Sequence, residues 1–482
     1  MVTSSGPTSN GDWSQPGGVF LSWTRTDTAR DGLLGGLVDR LVARGVPVWI
    51  DDGQIATFDP IPQRIRQGLA QAKVLLAWYS AAYPTRRACR EELTLALLAA
   101  QRHHQPDRVL VVNPEPDARH LLEAPLLNTR FASQPDLDDL DRLADRIAER
   151  VKAQPAPLGE LPAADRVTWH GAEAWVDGSR RFAGRLKELW TLHDMLCRTT
   201  ELVGPGQAGR ALALVSGFGG VGKSLLTAEY ARLFASSYPG GVVWLSALGN
   251  DTTGRAPEPG QSQTAAASAY ADLASSWLRL DVQGLDPAAL REAVREELIR
   301  RDKQVLWVVD DLPSGLDAAA MASWRCPSPV THELITTRDR THSSLPSLEL
   351  GVLAPDDALN LLLQDHPWPA PEREQARILA EDLGRHPLAC DVAGLYVAGG
   401  STFTAYRRLI QGSLARFDEL AAQLSDQLPG GHQRQIVATL GTSLTRLTPA
   451  AQWVLRAAAH LGAWVRNTRG GVLRERAGPW DT

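Results

Sequence analysis

Residues 211–234 read ALALVSGFGGVGKSLLTAEYARLF, and this run decides the fold of the middle of the chain. Its first six residues are an apolar strand. Gly217 to Ser224 fit G-x-x-x-x-G-K-S in full, and KSLLTAEYARLF opens a helix. Glycines at 217, 220 and 222 let backbone N–H groups turn inward around phosphate oxygens. The helix start adds its positive end. Lys223 then reaches the terminal phosphates of ATP or ADP, and Ser224 ligates Mg2+.

Downstream, the strand QVLWVV ends in Asp310 and Asp311. An apolar strand followed by acid is the second phosphate-site signature. Asp310 is expected to hold Mg2+ through water and Asp311 to orient the attacking water; the lack of a following Glu predicts slow hydrolysis. The strand ELITT ends in Arg338, placed to sense the γ-phosphate. Further strands are expected at Val242 to Ser246 and Val305 to Val309, and Gly249 to Gln263 reads as a polar surface loop. From Ala354 onward the pattern is almost wholly helical.

Upstream lies a separate alternation. Strands are expected at Val19 to Trp23, Val46 to Ile50, Val74 to Trp78 and Arg108 to Val112. Helices are expected at Asp27 to Gly45, Ile61 to Ala72, Arg87 to Arg102 and Asp136 to Val151. In the first helix, Leu33, Leu37 and Leu41 form one apolar row and Leu34, Val38 and Val42 a second. Such alternation predicts an α/β fold with a parallel sheet covered by helices on both faces. Residues 1–18 form a polar head, and Lys152 to Trp175, rich in Pro, Gly and Ala, reads as a linker.

Three words in the first block carry more: VFLSWTRTD (Val19 to Asp27), VWIDDGQIATFDPIPQRIRQGLAQA (Val48 to Ala72) and LLAWYSAAYPTRRACREEL (Leu75 to Leu93). Together they resemble a TIR domain over residues 19–151, which implies a flavodoxin-like parallel sheet. Some members of that family cleave NAD+ at the nicotinamide–ribose bond. The family motif Cys-x-x-Glu-Leu falls on Cys89 to Leu93, so Glu92 takes the catalytic place and Cys89 lines the pocket. Loss of nicotinamide develops positive charge on the ribose, which a fixed carboxylate stabilises. Trp23, Arg25 and Asp27 follow the first strand and line the same mouth. Asp51 to Asp59 matches the loop that reaches a neighbouring copy in the family. Ala88 stands where the family often has Trp, so the aromatic wall is either missing or supplied elsewhere, by Trp78 or Tyr79.

The second block resembles the STAND-class NTPases, whose plant relatives are called NB-ARC. RFAGRLKEL (Arg181 to Leu189) matches their adenine-side motif, with Arg185 at the nucleotide, and LGRHPLA (Leu383 to Ala389) matches their Gly-x-x-Pro-Leu-Ala motif. The resemblance implies that Pro387 touches the nucleotide from a helical lid. It also implies that Gln433 to Gly462 begins a winged-helix domain. The expected organisation is a TIR domain at 19–151, a linker at 152–180, a P-loop NTPase domain at 181–350, a helical lid at 351–430 and a partial winged helix with tail at 431–482.

The 482 residues carry a formal net charge of −5, which gives no electrostatic reason for nucleic acid as the main partner. The 4 cysteines are far apart and form no zinc or disulfide pattern. With no signal peptide and no apolar run of spanning length, the expected place is the cytoplasm, without membrane partners. The reading is a nucleotide-switched effector that forms homo-oligomers through its TIR and NTPase domains and hydrolyses or cyclises NAD+ in defence signalling, its trigger unknown. Two alternatives stand: a TIR scaffold without catalysis, and a STAND-type regulator.

Overall fold

Two runs of strands too apolar to face water on either side build two separate parallel sheets. The computed structural model describes residues 17–24, 31–50, 61–102, 105–127, 131–159, 167–171, 179, 181–201, 211–247, 260–329, 331–339, 345–364 and 366–409. The first sheet uses β1 (Val19–Ser22), β2 (Val48–Trp49), β3 (Val74–Trp78) and β4 (Val109–Val112) in the order β2-β1-β3-β4. All pairings are parallel, with Val19 opposite Val48 and Val74, and Leu75 opposite Val109. Between these strands run α1 (Asp31–Ala43), α2 (Ile61–Gln71) and α3 (Arg87–Arg102); α4 (Ala124–Leu127), α5 (Gln134–Leu137) and α6 (Leu140–Ala153) follow β4.

The helix expected over Asp136 to Val151 is two helices. Asp136 accepts the Ser133 N–H at 2.9 Å and so caps α5, while Asp139 accepts the Arg142 N–H at 3.0 Å and starts α6 afresh. Within the stretch expected as a linker, Lys152 to Trp175, the described residues make contacts at both ends. Its start packs back on the first sheet's helices: Leu158 N–H donates to Ala72 O at 2.8 Å, and Arg108 Nη1 donates to Pro157 O at 2.8 Å. Its end supplies β5 (Trp169–His170), paired with Val242 and Val243. Two residues are too few for a period, so only the partner strand reveals them.

The second sheet joins β5 to β6 (Ala211–Ser216), β7 (Gly241–Ser246), β8 (Val305–Leu312), β9 (Thr331–Thr337) and β10 (Ser347–Glu349), in the order β10-β6-β9-β8-β7-β5. Every pairing in it is parallel. β8 runs three residues beyond its expected end, through a register shift between Val309 and Leu312. β10 carries too little apolar pattern to be read from sequence. The helices here are α7 (Leu186–Glu201), α8 (Lys223–Leu233), α9 (Gln261–Leu273), α10 (Pro287–Arg301) and α11 (Ala318–Trp324). The start of α9 takes in residues 261–263 of the expected loop.

One apolar cluster runs continuously from Cys89, Leu93 and Leu97 of α3 to Leu189 and Trp190 of α7 and Phe234 after α8. The two sheets therefore share a core. By internal contacts the chain forms two units, Met1–Gly351 and Val352–Thr482. The described part of the second holds α12 (Pro355–Leu363), α13 (Ala370–Asp382) and α14 (Pro387–Ala398). Glu372 ties it together, accepting the Phe403 N–H at 2.7 Å and the Thr404 hydroxyl at 2.7 Å. Pro387 sits in the first turn of α14, where a missing N–H costs nothing. The winged-helix expectation at 431–482 lies outside the described residues. Among the described residues no helix is long and apolar enough to cross a membrane.

Candidate functional site

The phosphate loop follows the fully buried strand β6 and turns on three glycines with positive φ: Gly217 at 153°, Gly220 at 72° and Gly222 at 95°. A side chain at Gly217 would meet Leu350 O at 2.6 Å, so any larger residue there must push the wall of the loop aside. Gly222 caps α8 in the left-handed conformation, and Lys223 and Ser224 open the helix. Lys223 is buried, and its Nζ donates to Gly217 O at 3.0 Å and Phe218 O at 2.9 Å. Burial, with Arg338 nearby, lowers its pKa from the usual lysine value.

Asp310 meets this loop from β8. Its Oδ1 accepts the Ser224 hydroxyl at 2.8 Å and the Thr336 hydroxyl at 2.6 Å. Burial raises its carboxyl above the usual range, against the pull of those two hydroxyls. Asp311 sits in the register shift with φ of 55°, and its N–H donates to Thr336 Oγ1 at 2.8 Å. Arg338 Nε lies 3.6 Å from Asp311 Oδ1. The structure thus gathers Lys223, Ser224, Asp310, Asp311 and Arg338 at the C-terminal ends of adjacent strands. Side chains of oxygen donors beside a cradle of positive-φ glycines suit a phosphate chain with a hard divalent cation.

Arg185 has φ of 64° and a buried guanidinium. It donates to Glu188 Oε1 at 2.9 Å and to Gly351 O at 2.5 Å. These contacts brace the segment that backs Gly217. Pro387 belongs to the second unit.

At the other sheet, Ser22 ends β1 and Glu92 sits one turn into α3. Ser22 Oγ donates to Glu92 Oε2 at 2.5 Å, and Glu92 is only 7% exposed. Tyr83 OH lies 2.7 Å from Ser22 Oγ and 3.2 Å from Cys89 O. Because the Ser22 hydroxyl donates to Glu92, the Tyr83 hydroxyl is left to donate toward Ser22 Oγ and Cys89 O. The Cys89 thiol donates to Trp23 O at 3.4 Å, which joins the half-buried Trp23 to the same cluster. Arg25, Asp27 and the 51–60 loop lie outside the described residues. Trp78 and Tyr79 are both fully buried and pack into opposite faces of the sheet, so neither forms the aromatic wall expected of them. Ser22 and Tyr83 went unassigned in the sequence. The signal for them was local: Ser22 is the last residue of the first strand, and Tyr83 lies between β3 and the Cys-x-x-Glu-Leu word.

Glu91 points away from this cluster. Its carboxylate takes Arg87 Nε at 2.8 Å and Arg232 Nη1 of α8 at 2.6 Å. Arg232 also grips Glu229 through two bonds of 2.6 and 3.1 Å. Burial alone would raise the Glu91 carboxyl, but Arg232 and Arg87 hold it below the usual range. Beside them the Arg90 guanidinium stands 5.9 Å from the Phe182 ring, and Arg102 Nη2 donates to Ser236 O at 3.0 Å. The helix carrying Glu92 is thus pinned to the helix that starts at the phosphate loop.

Residues 19–144 match the family described as the TIR domain. Over 421 residues the chain is 27% identical to the regulatory protein AfsR of Streptomyces coelicolor, covering 79% of this chain and 39% of that protein. The chain therefore spans about two fifths of the length of this curated relative. Among solved structures, a signal transduction ATPase with a tetratricopeptide repeat sensor from Pyrococcus horikoshii is 17% identical at a TM-score of 0.32, over 56% of this chain and 41% of that one. The ORC2 protein of Aeropyrum pernix in its ADP form is 14% identical at 0.33, over 64% and 81%. The TIR domains of the activated Roq1 resistosome are 20% identical at 0.20, over 28% and 84%. The N-terminal block thus matches the TIR-domain family over residues 19–144, and the block after it is a parallel α/β sheet carrying a complete phosphate-loop motif.

Proposed function

We propose that the chain is an ATP/ADP-switched effector whose TIR domains assemble and then cleave NAD+ at the nicotinamide–ribose bond. The observation that carries the reading is the buried Glu92 carboxylate, fixed by Ser22 at the C-terminal end of β1. Open α/β sheets bind ligands at such strand ends. As the C–N bond breaks, its electrons leave with nicotinamide and the ribose carbon becomes cationic. Glu92, aimed by Ser22 and held out of bulk water, stabilises that cation. Water attack with loss of a proton gives ADP-ribose, and attack by the substrate's own adenine gives a cyclic product.

The switch is assigned to the P-loop unit. Lys223 and the 217–222 backbone would hold the phosphates, Ser224 and Asp310 would hold Mg2+, and Asp311 with Arg338 would flank the terminal phosphate. Mg2+, when bound, would supply charge neutralisation to the phosphate chain. The Glu91–Arg232 tie supports coupling between the two sites, because it links the helix of Glu92 to the helix of Lys223. Homo-oligomers through both domains are the proposed active form, in the cytoplasm, with the trigger left to another component.

The test is nicotinamide release from NAD+ by the full chain, clustered on a multivalent support, beside Glu92→Ala. Release that rises steeply with clustering and vanishes in Glu92→Ala is expected. A clustered sample that leaves NAD+ intact supports the second reading, a scaffold or regulator without catalysis. Ala88 in place of the family's Trp and the regulatory relative favour that reading.

A further inference from the structure

Behind the Glu92 cluster lies a second acid that the proposed reaction does not use. Glu123 follows β4 and is buried. Its Oε2 accepts the Tyr79 hydroxyl at 2.6 Å and the Leu122 N–H at 3.3 Å, while its Oε1 is buried with no hydrogen-bond partner. The Tyr79 ring stacks on the Tyr83 ring with centroids 4.5 Å apart. Tyr83 OH contacts Ser22 Oγ, and Ser22 holds Glu92. One unbroken buried chain therefore runs Glu123, Tyr79, Tyr83, Ser22, Glu92, its members drawn from the end of β1, the segment between β3 and α3, α3 itself and the residue before α4.

We infer that Glu123 is a positioning residue for Glu92, acting through the stacked Tyr79–Tyr83 pair and adding its own charge behind the cation that Glu92 stabilises. The inference rests on the NAD+-cleaving reading. A carboxyl with an orphaned oxygen is a costly way to fill a core, since a leucine would pack there without a buried unmet acceptor. The titratable and charged groups that face it are Tyr79 after β3, Tyr83 before α3 and Arg90 on α3, with His120 of its own loop packed on Tyr79. His120 Nε2 lies 3.0 Å from Tyr79 O.

Burial lifts the Glu123 carboxyl to about 7, against the pull of Tyr79 and its backbone bonds. The carboxyl is therefore neutral below that pH and charged above it. An added negative charge in a dry site favours a developing cation, so nicotinamide release rises through pH 7 as Glu123 ionises. Across several ångströms of protein the gain is about tenfold, carried in kcat with KM held.

The experiment measures kcat for NAD+ from pH 5.5 to 8.5 on the clustered full chain, with Glu123→Gln and Glu92→Ala alongside. Thermal unfolding of the unclustered wild type and Glu123→Gln is followed over pH 4 to 8. The wild type should climb about tenfold with a midpoint near 7, and Glu123→Gln should stay flat at the lower rate. A carboxyl raised in the folded state gives stability that is complete below its unfolded value and is lost as pH rises through about 7, so Glu123→Gln should also remove that loss. If the unfolding profile changes but the two rate profiles coincide, Glu123 is a structural acid and the inference is overturned. Activity that survives Glu92→Ala, or no cleavage at any pH, removes the NAD+ reading and this inference with it.

Discussion

Replacing Arg232 by Met cuts the tie between the helix of Glu92 and the helix of the phosphate loop, and the structure lets the cost be divided. Arg232 is 10% exposed and lies between Glu229, 4% exposed, and Glu91, 38% exposed. Loss of its two bonds to Glu229 leaves a buried carboxylate uncompensated, which costs about 3–5 kcal/mol. The pair with Glu91 is partly in water, so screening and side-chain entropy reduce it to about 1 kcal/mol. The single mutant therefore mixes a large term internal to α8 with a small term between the two sheets. A double-mutant cycle with Glu91→Gln isolates the second. The assay is amide hydrogen exchange of Arg87–Arg102 in the four chains, read as local opening free energies. Glu91→Gln should speed exchange about fivefold, and the cycle should return a coupling of about 1 kcal/mol. A coupling below about 0.3 kcal/mol would refute the reasoning, because Glu91 would then be a solvated carboxylate that merely touches Arg232. If the tie restrains the TIR domain, Glu91→Gln should also begin nicotinamide release at a lower protein concentration than the wild type.

Lys223→Ala removes the ammonium beside the phosphate loop and should weaken ADP and ATP binding about 10- to 100-fold, the worth of a hydrogen bond to a charged group; calorimetry showing unchanged affinity would reject the site. Ser22→Ala frees the Glu92 carboxylate and should lower kcat for nicotinamide release roughly 10- to 100-fold at nearly constant KM, which initial-rate kinetics on the clustered chain would check. His193 and His332 are held neutral by burial, with pKa values lowered to about 3 and about 4. Their contribution to stability is therefore present above the unfolded value near 6.5 and is lost as pH falls toward the folded values. Each group removes up to about 1.4 kcal/mol per pH unit in that window. His193→Phe keeps a ring stacked on Phe234, whose centroid is 4.3 Å away, and should flatten the acid slope of Tm by about half; an unchanged slope would count against the burial argument.

The sequence by itself determined whatever rests on short-range chemistry. The strand-loop-helix context of residues 211–234 specifies a phosphate cradle, because glycine spacing, the lysine and the helix start are all local. Cys89 to Leu93 placed Glu92 and Glu91 on one helix, and helical spacing already sent them to different faces. The main strands of both sheets were legible because continuous apolar runs bounded by Gly, Asp and Arg admit few other readings. Tertiary structure alone decided what depends on partners distant in the chain. β5 and β10 are too short to carry a period, and they exist because β7 and β6 offer open edges. Asp310 meets Ser224 across 86 positions, and Ser22 meets Glu92 across 70. Arg185 is read as a nucleotide residue from its motif, and only the fold brings Gly351, 166 positions away, within reach of its guanidinium. Glu123 carried no signal at all: an isolated carboxylate after a strand reads as surface until the fold closes over it. Its raised proton affinity, and with it the chain to Glu92, comes from burial, which is a property of the packed structure and is written in no local stretch of residues.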